Sequence, residues 1–246
     1  MSEFSAIPRR PSLATQVTEE LLDAMASGRL QPGATLPTER ALSAQFGVSR
    51  TVIREAVRGL EANGVLEIKS PRGATVAVVS GTHAAETLER YLRGAQSQDI
   101  IQPGHIAEIR ITLELRLVEL ACERATDDDV DAMERELDAM KNGASAEQTA
   151  VHDAEFHRLI AVATHNALAV TLIESINATM RSIRVRSLQV EGRPALAVAQ
   201  HASVLKAIRD RDATAARNAM DDHLEDSRHY YSSVGPSESA EPGADA

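Results

Sequence analysis

The sequence predicts a mostly α-helical chain in two parts: a short N-terminal unit that ends in a small β-hairpin, then an all-helical antiparallel bundle. Three observations predict it. Aromatic residues make up 2% of the 246 positions while Ala, Leu, Val, Glu and Arg are plentiful, a balance that suits helices over sheets. Apolar residues recur at three- and four-residue intervals along most of the chain. The period changes where VLEIK and ATVAVV, two runs of β-branched and apolar residues, are joined by SPRG, a hairpin signal.

The elements follow in order. Residues 1–11, with two prolines and two arginines, read as a flexible arm. SLATQVTEELLDAMASGRL spaces Leu13, Val17, Leu21 and Met25 at helical intervals, and Gly28 stops it. After the turn QPGATLP, Thr38 caps the short helix TERALSAQF. Gly47 breaks the chain, and Ser49 caps SRTVIREAVRGLEANG, which ends at Asn63 and Gly64. The hairpin closes this unit at about residue 80. Residues 81–104 read as a linker helix ending in the polar patch QSQDIIQPG. Residues 105–231 complete a set of six or seven helices, among them ALAVTLIESINATMRSIRVRSLQ as one continuous helix. Residues 232–246 are small, polar and rich in Pro and Gly, the composition of a disordered tail.

Charge separates the two parts. Residues 1–79 hold nine Lys/Arg and eight Asp/Glu, net +1; the remainder holds 17 and 28, net −11. The N-terminus lacks a hydrophobic signal core and no window approaches eighteen consecutive apolar residues, so a cytoplasmic protein with no membrane partner is expected. The lone cysteine, Cys122, cannot form an internal disulfide and sits where a small buried residue belongs.

Helix, turn through Phe46-Gly47-Val48, helix and hairpin is the arrangement of a winged helix-turn-helix, whose second helix enters the major groove of DNA. On that helix Arg50 and Arg54 share a face at i, i+4, with Ser49 and Thr51 beside them. The planar fork of arginine matches the O6/N7 edge of guanine, which makes both candidate base readers. Arg40 is placed to clamp phosphate, and Lys69, Arg72 and Gly73 at the hairpin tip to approach the backbone or minor groove. Taken alone, two arginines on one helix would equally be a solvated face. The stretch from Gly28 to Val79 resembles the DNA-binding domain of GntR-family bacterial transcription regulators, whose pattern includes LPsErxL, VSRtxvReA and a glycine-tipped wing. The resemblance implies DNA contacts by Arg40, Arg50 and Arg54 from the helices and by Arg72 and Gly73 from the wing. The wing departs from the pattern in reading KSPRG, without a second glycine.

Four polar residues interrupt apolar stripes in the second part. Asp153 and His157 align with Ile160; His201 aligns with Val204, Leu205 and Ile208; His223 aligns with Ala216, Ala219 and Met220. His201 lies nine residues before Asp210 and His223 ten after Ala213, so a helical hairpin turning at Arg211-Asp212 sets both imidazoles at nearly one height. With the i, i+4 pair added, three nitrogens and an oxygen could hold one cation. Core histidines that merely hydrogen-bond to neighbours are the alternative. His152 is a candidate partner to the cluster. Arg110, in line with Ile106, Leu113 and Leu117, either pairs with Glu114 or offers a fork to an organic carboxylate. Arg181, Arg184, Arg186 and Asn177 also compete for a place in the cavity.

EIRITLELRLVELACERAT, HDAEFHRLIAVATHN and QHASVLKAIRDRDATAARNAMDDHL resemble the helical FCD effector domain of the FadR subfamily of the same regulators, over about residues 105–225. The resemblance implies a divalent cation (zinc, nickel or manganese) on Asp153, His157, His201 and His223, and a carboxylate effector on Arg110. The fatty-acyl-binding member lacks that metal set, so the likeness is to sensors of lactate, gluconate or uronate-type sugar acids. The expected function is a ligand-responsive regulator, a repressor of a catabolic operon, acting as a homodimer on an inverted-repeat operator in double-stranded DNA. Two alternatives are a regulator for which the cation itself is the signal, and a metal-dependent hydrolytic enzyme. The enzyme reading lacks an inward Glu or Asp to serve as general base.

Overall fold

The computed structural model describes residues 11–69, 73–77 and 81–233. The expected arm, hairpin tip and polar tail fall largely on residues 1–10, 70–72 and 234–246, outside the described residues. The chain divides into two compact units, Met1–Ala84 and Ala85–Ala246.

In the first unit, α1 (Leu13–Ala26) starts where Ser12 Oγ accepts from the Thr15 amide at 3.0 Å. α2 (Glu39–Phe46) begins at its Thr38 cap, and Gly47 ends it in the left-handed region at φ 66°, where a side chain would strain the turn. α3 (Arg50–Ala62) begins at the Ser49 cap, and its strongly one-sided pattern buries Ile53, Ala56, Val57 and Leu60. These pack on Val17, Leu21, Leu42, Leu66 and Val76. Each large side chain so buried contributes about 1.5–3 kcal/mol, which locks α2 against α3 and fixes the turn between them. The wing is an antiparallel pair, β1 (Leu66–Lys69) and β2 (Gly73–Val76), registered from Leu66 opposite Val76 to Lys69 opposite Gly73. Thr35 bridges Thr75, which ties the approach to α2 to the wing.

Eight helices are described after residue 80, one or two more than the spacing predicts: α4 (Gly81–Ser97), α5 (Pro103–Arg124), α6 (Asp127–Lys141), α7 (Ala146–Ala163), α8 (Ala167–Thr179), α9 (Arg181–Leu188), α10 (Arg193–Arg209) and α11 (Ala213–Ser233). The excess comes from Ala167 to Gln189, expected as one helix but broken at Met180. Just before the break Thr179 Oγ1 donates to the Ser175 carbonyl at 2.7 Å and Ser175 Oγ to that of Leu172 at 2.8 Å. Burial of Met180 beside Ile106 and Ile176 holds the bend. α11 runs on through Ser233, past the expected start of the tail at 232. α5, α6, α7, α10 and α11 surround a core that includes Val118, Met133, Phe156, Ile160, Ile208 and Met220. Arg211 takes φ 59° at the α10–α11 turn and is anchored by donating to the Cys122 and Ala125 carbonyls. Cys122 is buried, and burial pushes its thiol up to about 11. No helix among the described residues is long and apolar enough to cross a membrane.

Candidate metal centre and nucleic-acid interface

The hairpin of α10 and α11 brings His201 and His223 to one height, as their spacing predicts, and α7 brings Asp153 and His157 opposite them. All four are at most 5% exposed, and their ligand atoms lie within 4.8 Å of one another. His157 Nε2 is 3.3 Å from His201 Nε2 and 3.3 Å from His223 Nε2. Asp153 Oδ1 is 3.5 Å from His201 Nε2. Zinc–nitrogen bonds of about 2.0–2.1 Å in a tetrahedron set ligand nitrogens about 3.3–3.4 Å apart, which the two His157 pairs match, while His157 Nε2 to Asp153 Oδ2 is wider at 3.9 Å.

The outward ring nitrogens select the protonation form. His201 Nδ1 is 2.6 Å from the Ala197 carbonyl, which can only accept, so Nδ1 carries the hydrogen. His223 Nδ1 donates to Gln200 Oε1 at 3.1 Å, and His157 Nδ1 donates to Glu114 Oε2. Each histidine therefore turns an Nε2 lone pair inward, the form a metal takes from a ring whose other nitrogen is anchored. Arg110 Nη2, a donor only, lies 2.9 Å from His157 Nε2 and agrees with that assignment.

Burial lowers the His201 pKa to about 4 against the opposing pull of Asp153, and lowers His223 well below the usual histidine range. Burial raises Asp153 and Glu114, but their partners outweigh it: the Arg184 guanidinium holds Asp153 below the ordinary carboxylate range, and the Nδ1–H of His157 with the Arg110 guanidinium does so for Glu114. His201 and His223 are thus neutral, and Asp153 and Glu114 ionised, near neutral pH.

Several partners were open or missed at the level of sequence. Arg110 does pair with Glu114, Nε to Oε1 at 2.6 Å. Glu114 is itself 1% exposed, so an inward carboxylate exists beside the cluster, contrary to the expectation of none. Its place four residues after Arg110 was the available signal. Of the later polar residues, Arg184 and Asn177 reach the site: Arg184 Nε meets Asp153 Oδ2 at 2.6 Å and its Nη2 donates to Asn177 Oδ1 at 2.8 Å. Arg193, not singled out by any pattern, is also buried and reaches Ser227 Oγ at 3.3 Å. His152 does not join the cluster; it meets Glu136 at 2.8 Å. Arg110, Asp153, Arg184, Arg193 and His223 line a void of about 10 Å³. Arg184 and Asn177 also line a cavity of about 600 Å³ with His152, Arg158, Glu174 and Arg181, within the range of small-molecule sites.

In the first unit Arg40, Ser49, Arg50, Thr51 and Arg54 are all exposed, while the opposite side of α3 is core. Ser49 Oγ accepts from the Val52 amide at 3.4 Å, so its side chain starts the helix. Gly73 is exposed at φ 85°; Arg72 lies outside the described residues. Sequence reasoning missed Glu39, whose carboxylate meets Arg54 at 2.8 and 3.2 Å and Arg50 at 3.8 Å.

A helix-turn-helix with a two-stranded wing, followed by a helical unit with a buried His/Asp centre, defines a class of two-part regulators. Residues 13–76 match the family described as bacterial regulatory proteins, gntR family, and residues 105–226 match the FCD domain. The chain belongs to the GntR family and carries an FCD domain; it is a DNA-binding transcription regulator and not an enzyme. It is 30% identical to the HTH-type transcriptional repressor NanR of Klebsiella aerogenes, over 95% of this chain and 92% of the relative. NanR of Salmonella schwarzengrund is 32% identical over 87% and 82%. Among solved structures, Streptococcus agalactiae GntR shares the fold with a TM-score of 0.66 at 24% identity, covering 88% of this chain and 99% of its own.

Proposed function

We propose that the protein is a homodimeric repressor, acting in the cytoplasm, whose helical unit senses a small carboxylate or sugar acid. The observation that carries this reading is the convergence of three inward Nε2 lone pairs and the Asp153 carboxylate, with the Arg110 guanidinium beside them. Asp153, His157, His201 and His223 would hold a divalent cation, zinc by the tetrahedral spacing. Such a cation supplies a fixed positive charge that anchors an anionic ligand. Glu114, Ala197 and Gln200 orient the three rings, Arg184 orients Asp153, and Arg110 offers hydrogen-bond donors at the edge of the cluster. The relatives' designation as repressors supports repression as the output.

On the DNA side, Arg50 and Arg54 read bases in the major groove with Ser49 and Thr51 beside them. Arg40 clamps phosphate, and the wing adds Arg72 and Gly73. A twofold dimer requires an inverted-repeat operator. Effector binding alters operator affinity to the extent that it favours one dimer geometry over the other.

The test is to strip metal with a chelator, reload zinc, and titrate lactate, gluconate and a uronate while following thermal unfolding and operator retardation. Stabilisation by an acid in the zinc-loaded form alone supports the reading. Operator affinity that follows zinc and ignores every acid would favour the second reading, a regulator for which the cation is the signal. The same donor set is what favours that alternative.

A further inference from the structure

We infer that Glu39 is a specificity-determining residue: by gripping one edge of Arg54 it fixes how the recognition helix presents its arginines to bases. The inference rests on the reading that α3 enters the major groove.

Glu39 is the first residue of α2, directly after the Thr38 cap, whose Oγ1 accepts from the Ala41 amide at 3.2 Å. Its backbone is therefore anchored, and Leu42 packs α2 into the same core as Ile53 and Val57 of α3. From that base the carboxylate spans two helices. Oε1 accepts from Arg54 Nε at 3.2 Å and Oε2 from Nη2 at 2.8 Å. Arg50 Nη2 lies 3.8 Å from the same Oε2, because residues four apart share a helix face.

Which edge is taken decides the consequence. A guanidinium has a side-on edge, Nε with one Nη, and an end-on edge, Nη1 with Nη2. Glu39 takes the side-on edge of Arg54 and leaves the end-on edge, which no described residue engages. Two parallel donors there can meet guanine O6 and N7. A planar fork held on one side by a bidentate carboxylate is fixed in orientation, so its other side cannot turn freely toward a phosphate or a different base. The negative charge has a second effect. Set on the face that meets DNA, it opposes the unselective attraction between arginine and phosphate, so DNA that cannot offer the matching guanine is bound less well. As a surface ion pair, half of Arg54 being exposed, the contact adds little to stability. Discrimination is where it acts.

The experiment uses the full-length chain and a randomised duplex library. The wild type selects a sequence, and Glu39→Gln, Glu39→Asp and Arg54→Ala are then measured on it, on a scrambled duplex, and on duplexes changed one base pair at a time. Glu39→Gln removes the charge; Glu39→Asp keeps it but retracts it by one methylene. We expect both to lower the ratio of selected to scrambled affinity roughly tenfold, the loss concentrated at the base pair that Arg54→Ala also ceases to read. Glu39→Gln should in addition bind the scrambled duplex more tightly. Wild-type base preference in both Glu39 variants, with Arg54→Ala losing it, would overturn the role of Glu39 alone. So would a Glu39→Asp variant that matches the wild type while Glu39→Gln merely binds every duplex more strongly. An Arg54→Ala protein that keeps the full wild-type preference would instead remove the groove reading itself, and this inference with it.

Discussion

Glu114 and His157, 43 residues apart in sequence, meet in the core, where Glu114 Oε2 accepts the Nδ1 hydrogen of His157 while Oε1 takes Nε of Arg110. One carboxylate therefore fixes both the ring that faces the cluster and the guanidinium beside it. Glu114→Gln keeps the shape and removes the charge, leaving Arg110, 2% exposed, without that anion. Breaking a buried pair from one side costs about 3–5 kcal/mol. A ligand histidine deprived of its anchor loses about 10–100-fold in metal affinity. Urea unfolding should register the first effect and zinc competition against a chromogenic chelator the second. Unchanged values in both would remove Glu114 from this role.

How far these relations could be read in advance depends on how local they are. The caps at Thr38 and Ser49, the turn glycine at 47 and the hairpin were legible because each is decided within a few residues. The cluster was legible because an i, i+4 pair and two histidines equidistant from a turn keep their heights in any regular helical hairpin. The pairing of Glu114 with Arg110 was legible at i, i+4, but the contacts of Glu114 to His157 and of Gln200 to His223 were not, since a residue anchoring a ring on another helix leaves no periodic trace. The break at Met180 was missed for a related reason. Neither Gly nor Pro marks it, and good helical spacing runs on through it.

Acid should destabilise the metal-free protein well above the range where carboxylates titrate. His201 is lowered to about 4 and His223 well below 6.5, both chiefly by burial. In the unfolded chain the same groups protonate near 6.5. As pH falls below that value the unfolded state binds more protons than the folded one, and stability declines until the folded pKa is reached. Asp153 and Glu114 act in the same direction lower down, since their lowered pKa gives stability present above the ordinary carboxylate range and lost beneath it. Melting temperatures of chelator-treated protein should be level at pH 7–8 and fall steadily from about pH 6.5. A flat profile down to pH 5 would mean that the histidines are not held neutral by the core.

Metal should stabilise through the folded state alone. A cation at about 100 times its dissociation constant adds roughly 2.7 kcal/mol when the unfolded chain does not bind it. Zinc should therefore raise the melting temperature of wild type, and His223→Ala should abolish the rise while remaining folded by circular dichroism. His152→Ala, whose ring meets Glu136 outside the cluster, should keep the full response. An equal response in both variants would place the ion elsewhere.

Arg50→Ala and Arg40→Ala should separate reading from holding. Both side chains are exposed, and Arg50 makes only a 3.8 Å ion pair with Glu39, so thermal stability should stay within about 0.5 kcal/mol of wild type. A base reader and a phosphate clamp nonetheless fail differently. Losing a bidentate contact costs about 1–3 kcal/mol at one base pair, so Arg50→Ala should bind the selected operator some ten- to a hundredfold more weakly, with its preference relaxed there. Arg40→Ala should weaken all duplexes alike and reduce the slope of log affinity against log salt by about one. Gel retardation across a salt series on selected and scrambled duplexes measures both quantities. Zinc binding, which depends on the other unit, should be unaltered in each variant. If Arg50→Ala retards the operator as wild type does, the assignment of α3 as the reading helix fails; if it weakens every duplex alike, Arg50 is a clamp and Arg54 carries the readout.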